Sequence, residues 1–164
     1  DIGLGIPAEP LFRSARIIEL EVILMIITPQ IFAQLQQVGE RYCTMPDTMA
    51  EIAKKNNALP TEIQYMQKFY TQQKYEVEKL KIELDELYGQ LFKHYRIDDD
   101  VQWNTTKEIE SQIFADPKYT ALYRQLAEQK YYLDYIGETL ANLKDMHYTI
   151  KNYLDYKKIT TTNM

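Results

Sequence analysis

The stretch TEIQYMQKFYTQQKYEVEKLKIELDELYGQLFKHY, Thr61 to Tyr95, decides the fold. Its seam positions follow an unbroken alternation of steps of three and four residues: Ile63, Met66, Tyr70, Gln73, Val77, Leu80, Leu84, Leu87, Leu91 and His94. This spacing puts them on one side of an α-helix and is typical of a coiled coil. Pro60 suits a first helical position, and Thr61 with Gln64 forms a capping-box pattern. We therefore predict a helix over 61–95, on the order of 50 Å long.

A second seam of the same kind lies near the C-terminus. Asp116 and Pro117 suit the N-cap and first position of a helix. The three-four spacing then runs through Tyr119, Leu122, Leu126, Gln129, Leu133, Ile136, Leu140, Leu143, His147, Ile150 and Leu154. We predict a second long helix over 117–159, interrupted only by Gly137, which costs about 1 kcal/mol relative to alanine.

Shorter elements fill the rest of the chain. Short helices are predicted between residues 31 and 58, the first of them ending at Gly39, and another at 105–114, where Thr105 and Glu108 form a capping box. Residues 96–103, with three successive aspartates, are typical of a turn. The two long helices can fold back on each other, which predicts an all-α, coiled-coil-like antiparallel hairpin. Residues 29–164 form a single domain in this interpretation, and residues 1–28 an N-terminal extension.

Composition limits the function. The chain has 164 residues, a net charge of −5 and one cysteine, Cys43, which fits a reducing compartment. An acidic chain does not attract polyanions as a whole, so nucleic-acid contact requires a local basic cluster. The apolar run Ile17 to Ile27 contains two glutamates and falls short of the roughly 20 residues that span a bilayer. We therefore predict no membrane segment.

Catalytic and metal-binding patterns are not found in the sequence. It contains no phosphate-binding loop, Gly-x-Ser-x-Gly or Cys-x-x-Cys motif. Both histidines, His94 and His147, fall on the seams, where buried or interfacial hydrogen bonding is their expected role. Asp98 to Asp100 supply oxygen ligands but lack the glycine and closing glutamate of a calcium loop, which favours a solvated turn. The expectation is a protein that is not an enzyme and has no cofactor or metal.

Two basic clusters leave two interpretations open. Lys74, Lys79, Lys81 and Lys93 alternate with acids, as on a solvated helix face. Near the C-terminus the lysines are mixed with tyrosines: Lys144, Tyr148, Lys151, Tyr153, Tyr156, Lys157 and Lys158. Cations and flat rings suit single-stranded nucleic acid, but they equally suit a helix C-terminus within an oligomer interface. Tyrosines that flank both seams predict self-association.

Two segments resemble the UvsY family, the recombination mediators of T-even-like bacteriophages. The first is DPKYTALYRQLAEQKYYLDYIGETLANLKDMHYTIKNYLDYKKI, Asp116 to Ile159, whose ending YTIKNYLDYKKI is similar to the family's closing pattern. The second is LKIELDELYG, Leu80 to Gly89, which resembles a DNA-binding segment of the type LKARLDYYSG. Glu83 stands where that motif has an arginine.

This resemblance implies a non-catalytic protein of the infected bacterial cytoplasm. Members form rings of six or seven subunits, bind single-stranded DNA and load the phage recombinase onto strands covered by the phage single-strand-binding protein. By position, the resemblance implies DNA binding by Lys81. Because Glu83 departs from the motif, we predict that the DNA-binding set also includes Lys74, Lys79, Tyr88 and Lys93. The resemblance implies oligomerisation through the C-terminal helix, and there we predict the contact residues Leu140, Leu143, His147, Ile150, Lys151, Tyr153, Leu154 and Tyr156. The alternative is a structural coiled-coil adaptor that self-associates without nucleic acid.

Overall fold

The computed structural model describes residues 27–98, 103 and 105–162, and all regular structure within these residues is helical. Within these residues, four α-helices follow one another: α1 (Pro29–Tyr42), α2 (Met49–Lys93), α3 (Thr106–Ala115) and α4 (Pro117–Thr162), with a π-helical turn at His94–Asp98. The all-α prediction is confirmed. The apolar run Ile17 to Ile27, except for its last residue, and the aspartates Asp99 and Asp100 lie outside the described residues.

The two long helices, α2 and α4, pack against each other in opposite directions. Near the loop between them, the rings of Tyr88 and Tyr119 have centroids 6.4 Å apart. Farther along, Lys144 Nζ lies 3.4 Å from Gln67 Oε1. Residue numbers thus fall along α2 as they rise along α4, which confirms the predicted antiparallel hairpin.

Buried side chains fill the hairpin in three clusters. The largest joins α1, α2 and α4 and contains Ile31, Phe32, Leu35, Ile52, Leu59, Met66, Phe69, Tyr132, Ile136, Leu140, Leu143 and Ile150. The second consists of Val77, Leu80, Leu84 and Leu126. The third lies where α3 covers the loop end and consists of Leu91, Ile109 and Ile113. Most predicted seam positions therefore lie in the core.

One polar layer crosses this core at the two predicted seam glutamines. Gln73 and Gln129 are each 1% exposed. Gln73 Nε2 donates to Gln129 Oε1 at 2.8 Å and to the Gln129 carbonyl at 2.9 Å. Gln129 Nε2 in turn donates to the carbonyl of Ile27 at 3.3 Å. A buried amide without partners is costly, so this mutual pairing is what allows two glutamines in the core.

The predicted start of the first long helix at Thr61 is wrong, because α2 begins at Met49 and continues through Pro60. Thr48 caps it, accepting a hydrogen bond from the Glu51 amide at 3.3 Å. The antiparallel pairing brings the residues before Pro60 beside the last turns of α4, where Ile52 and Leu59 join the main cluster. Their burial offsets the roughly 3 kcal/mol that an interior proline costs a helix.

Replacing Pro60 by alanine is expected to stabilise the protein by about 2 kcal/mol. The substitution restores an amide donor and removes the ring from an exposed helical position, while the unfolded chain regains some entropy. Urea unfolding followed by circular dichroism measures the change. If the helix instead began at Thr61, proline would be favourable there and the substitution would destabilise the protein.

Two threonine substitutions distinguish the same two possible starts of α2, Met49 and Thr61. Thr48→Ala removes the observed cap and is expected to cost about 1 kcal/mol, whereas Thr61→Ala falls within a helix and should change little. The reverse order would contradict the start of α2 at Met49.

Helix α1 lies parallel to α4 on one side of the hairpin. Phe32 stacks on Tyr132 with ring centroids 4.4 Å apart. A Cβ at Gly39 would lie 3.1 Å from the methyl group of Thr139, so glycine permits close packing here. The prediction that α1 ends at Gly39 is wrong, since the helix continues to Tyr42.

The amine of Lys55 donates hydrogen bonds to backbone carbonyl groups at the C-terminal end of α1. Lys55 Nζ donates to the carbonyl of Arg41 at 3.1 Å and to that of Thr44. The Tyr42 ring lies 6.0 Å away. Burial lowers the pKa of Lys55, whereas the nearby Cys43 raises it. These contacts hold α1 against the first turns of α2.

Within the connection between α2 and α4, the starts of α3 and α4 are both capped. The predicted capping box of Thr105 and Glu108 is confirmed, with both of its hydrogen bonds present. Asp116 Oδ1 accepts from the Lys118 amide at 2.8 Å, which confirms the predicted start of α4. α2 ends at Lys93 rather than Tyr95, and His94, the first residue of the π-helical turn, is exposed to solvent rather than buried on the seam. None of the described helices has the length and apolar character that crossing a membrane requires.

Candidate nucleic-acid interface

The predicted DNA-binding lysines all lie on α2, at its surface. Lys74, Lys79 and Lys93 are exposed, and Lys81 is half-buried. Two of them pair with acids of the same helix: Lys79 Nζ lies 3.9 Å from Glu83, and Lys81 Nζ lies 2.6 Å from Glu78. Exposed pairs of this kind contribute little to stability. They nevertheless place carboxylates where a phosphate would have to bind.

Tyr88 does not offer a free ring to a nucleic-acid base. It is half-buried, and its hydroxyl donates to Glu110 Oε1 at 3.3 Å. Its ring stacks on Phe92 with centroids 6.2 Å apart and meets the edge of Tyr119. Burial and the Glu110 charge raise the pKa of Tyr88. The ring therefore takes part in the packing at the loop end, and a DNA contact by Tyr88 stays a prediction.

The loop end of the hairpin, around the LKIELDELYG segment, is acidic. Within residues 76–98 and 105–116 there are nine acidic and five basic side chains. The surroundings of Glu83 thus repel phosphate as Glu83 itself does. The C-terminal end of α4 has the opposite balance, with four lysines and two aspartates between Lys144 and Lys158.

Three of the predicted oligomerisation residues lie inside the chain's own core. Leu140, Leu143 and Ile150 are buried in the cluster that α1, α2 and α4 share. They pack on helices of the same chain and are not available to a second copy in this arrangement. His147, Tyr153 and Leu154 are half-buried, whereas Lys151 and Tyr156 are exposed. A role of the three buried residues in oligomerisation stays a prediction.

An exposed apolar and aromatic surface lies on the outer side of α4. Its C-terminal part carries Tyr148, Tyr156 and Ile159, which are 69%, 64% and 63% exposed. Lys157 Nζ lies 5.7 Å from the Tyr153 ring centroid, a cation–π contact at the edge of this surface. Cations and exposed rings therefore occur together on the last turns of α4.

Sequence reasoning missed Lys130, which the fold brings to the α2 lysines. The Glu78 carboxylate interacts with charges of both helices, namely Lys81 and Lys74 of α2 and Lys130 of α4. The hydrogen bond from Lys81 contributes most and, with these charges, lowers the pKa of Glu78. Lys130 is more than thirty residues away in the sequence from any lysine of the predicted set. Only the pairing of α2 with α4 identifies it.

A cleft of about 470 Å³ lies beside the turn between α1 and α2. Its charged lining residues are Arg41, Asp47, Glu51, Lys54 and Lys55. The two carboxylates offset two of the cations, and the Lys55 amine already binds two carbonyl oxygens. Among the residues that the structure describes, no group of three or more His, Cys, Asp or Glu side chains could hold a metal ion.

Comparison with protein-family models, with curated proteins and with solved structures found no match to this chain. The candidate interface therefore stands on the geometry of the helical hairpin and on the residues quoted from its sequence.

Proposed function

We propose that the protein binds single-stranded DNA as a homo-oligomer and acts as a recombination mediator. The observation that carries the proposal is the joint exposure of lysines and tyrosines along the end of α4, exemplified by Lys144, Tyr148 and Lys151. Lysines neutralise phosphates, and an exposed ring stacks on an unpaired base. The resemblance to the UvsY family supports the same function from the sequence.

Self-association would compensate for the weak basic surface of one subunit. A ring of six or seven copies, as the resemblance implies, would present the same lysines repeatedly to one strand. Each further contact becomes intramolecular once the first has formed, so a modest affinity per subunit is multiplied. The exposed rings Tyr131 and Tyr156 supply apolar contact area for neighbouring copies.

The proposed role is binding rather than catalysis. A mediator that holds single-stranded DNA in the cytoplasm of an infected bacterium would displace the phage single-strand-binding protein locally and load the phage recombinase. No step of this role requires a cofactor, a metal or a catalytic group from this chain.

Binding of a fluorescent single-stranded oligothymidine, measured by anisotropy over a series of salt concentrations, tests the proposal. The affinity is expected to fall steeply with salt, because each phosphate contact on a single strand contributes about −0.7 to the logarithmic slope. Duplex DNA of the same length is the control and should bind more weakly. Light scattering of the same samples should show an oligomer. A monomer without salt-dependent binding would contradict the proposal.

The second candidate is a structural adaptor that self-associates without nucleic acid. The ion pairs of Lys79 and Lys81 with acids on the same helix favour it, because they leave these lysines partly neutralised. The adaptor predicts an oligomer in light scattering and no change in anisotropy at any salt concentration. The same two measurements therefore separate the candidates.

A further inference from the structure

The hairpin brings lysines from both long helices onto one side. On α2, steps of four and three residues lead from Gln67 through Thr71 to Lys74, Glu78 and Lys81, so these side chains lie along one line of the helix. Contacts to α4 fix the position of this line at two places. Lys144 Nζ reaches Gln67, and Lys130 interacts with Glu78.

The lysines of α4 on this side recur at multiples of seven residues. They are Lys130, Lys144, Lys151 and Lys158, and the skipped position is Gly137. A seven-residue step returns nearly to the same side of a helix. At Gly137 the Tyr70 ring of α2 lies so close that a Cβ would be 3.2 Å from it. The place where the lysine is missing is thus filled by an aromatic side chain of α2.

This lysine row, defined as Lys74, Lys81, Lys130, Lys144, Lys151 and Lys158, lies on the side of α4 away from α1. Helix α1 contacts α4 through other positions, namely Tyr131, Tyr132, Tyr135 and Thr139. Five of the row's lysines are exposed and Lys81 is half-buried. No helix of the described chain covers it.

The row is locally basic although the chain is acidic. The acids that share its line or border it are Glu78, Asp85, Asp134 and Asp155. Lys158 Nζ lies 3.7 Å from Asp155. Six lysines against four carboxylates leave an excess of positive charge on this side, in contrast to the net charge of −5 of the whole chain.

We propose that the lysine row is the path of single-stranded DNA over each subunit, with the exposed ring of Tyr148 stacking on a base. From Lys130 to Lys158 the row rises by about 42 Å along α4, with lysines spaced about 10 Å apart in its last half. A flexible single strand can follow this line and turn a base toward Tyr148. The path thus runs mainly over α4 rather than over the LKIELDELYG segment of α2. This inference rests on the proposed function.

Two variants with equal loss of charge test the path. The row variant replaces Lys130, Lys144, Lys151 and Lys158 by glutamine. The control variant replaces four exposed lysines outside both the row and the predicted DNA-binding set by glutamine: Lys54, Lys68, Lys107 and Lys118. Oligothymidine anisotropy is measured for both. The row variant is expected to lose at least about tenfold in affinity, with a salt slope smaller by about 3, whereas the control should stay within about threefold.

Each result decides a different point. If the wild type binds but the control variant loses as much affinity as the row variant, the path is overturned and the proposed function stands. Absence of wild-type binding would overturn both. A row variant that loses its oligomeric state together with its binding would also overturn the path, since the lysines would then act through assembly. Light scattering and thermal unfolding of both variants are therefore measured, and no change in either is expected.

A single ring substitution gives an independent test of the same path. Tyr148→Ala, which leaves all charges unchanged, is expected to weaken oligothymidine binding about fivefold without changing the salt slope, because it removes stacking only. Tyr75→Ala, at a ring of α2 that is 65% exposed and lies off the line of the row, is the matched control and should leave affinity unchanged. Equal effects of the two would contradict stacking on Tyr148.

Discussion

Replacing Ile150 by alanine is expected to lower the free energy of unfolding by about 2 to 5 kcal/mol. Ile150 is 0% exposed and lies in the cluster that contains Ile52 and Leu59 of α2. Removing three carbon atoms from this site loses the free energy that is gained when they move from water into the core. It also leaves a cavity that the two helices cannot close. Chemical unfolding of the chain at several protein concentrations measures the loss.

Ile159→Ala is the matched control, since the same substitution is made on the same helix at a side chain that is 63% exposed. It should change the free energy of unfolding by less than about 0.5 kcal/mol. The resemblance to the UvsY family instead assigns Ile150 to contacts between subunits. In that case Ile150→Ala would dissociate the oligomer while leaving the unfolding of the dissociated chain unchanged, a result that would contradict the packing of α4 on α2.

The second large effect is expected at the glutamine layer. Gln73→Leu should destabilise the protein by about 2 to 3 kcal/mol, because it leaves the buried Gln129 side-chain oxygen without its donor at 2.8 Å. Urea unfolding again gives the value. Gln72→Leu, one position away on the half-buried side of α2, is the control and should have a much smaller effect.

The double variant Gln73→Leu with Gln129→Leu should recover most of that loss, since apolar groups then replace both partners of the main hydrogen bond. The carbonyl of Ile27 still loses its donor, so full recovery is not expected. If the double variant is destabilised by the sum of the two single effects, the two amides do not interact and the layer is not formed.

The sequence was sufficient to predict the elements that are determined by residues close together in the chain. Asp116 with Pro117 predicted the start of α4, and Thr105 with Glu108 the start of α3, because a helix cap is decided within one turn. The seams predicted the hairpin, since three-four spacing leaves a long apolar side that needs a partner. Pro60 misled the prediction for α2, because its local cost is outweighed by the burial of Ile52 and Leu59 on a helix distant in sequence.

The candidate interface was less predictable for the same reason. Spacing marked Lys81 and Lys151 as basic surface positions, but it did not show that Glu78 lies between lysines of two helices. Tyr88 looked available for stacking because its partner Glu110 belongs to another helix. Lys130 carried no local signal at all. Each of these depends on the alignment of α2 with α4, which is fixed by contacts between residues far apart in the chain.

The opposite charges of the two ends of the hairpin make the molecule a long electric dipole. A helix of 46 residues, such as α4, is about 69 Å long, whereas the screening length at physiological salt is about 8 Å. The negative loop end therefore cannot cancel the field at the positive end, and a nearby polyanion senses only the end that faces it. Within that screening length, the C-terminal end of α4 attracts a strand of nucleic acid, whereas the loop end repels it.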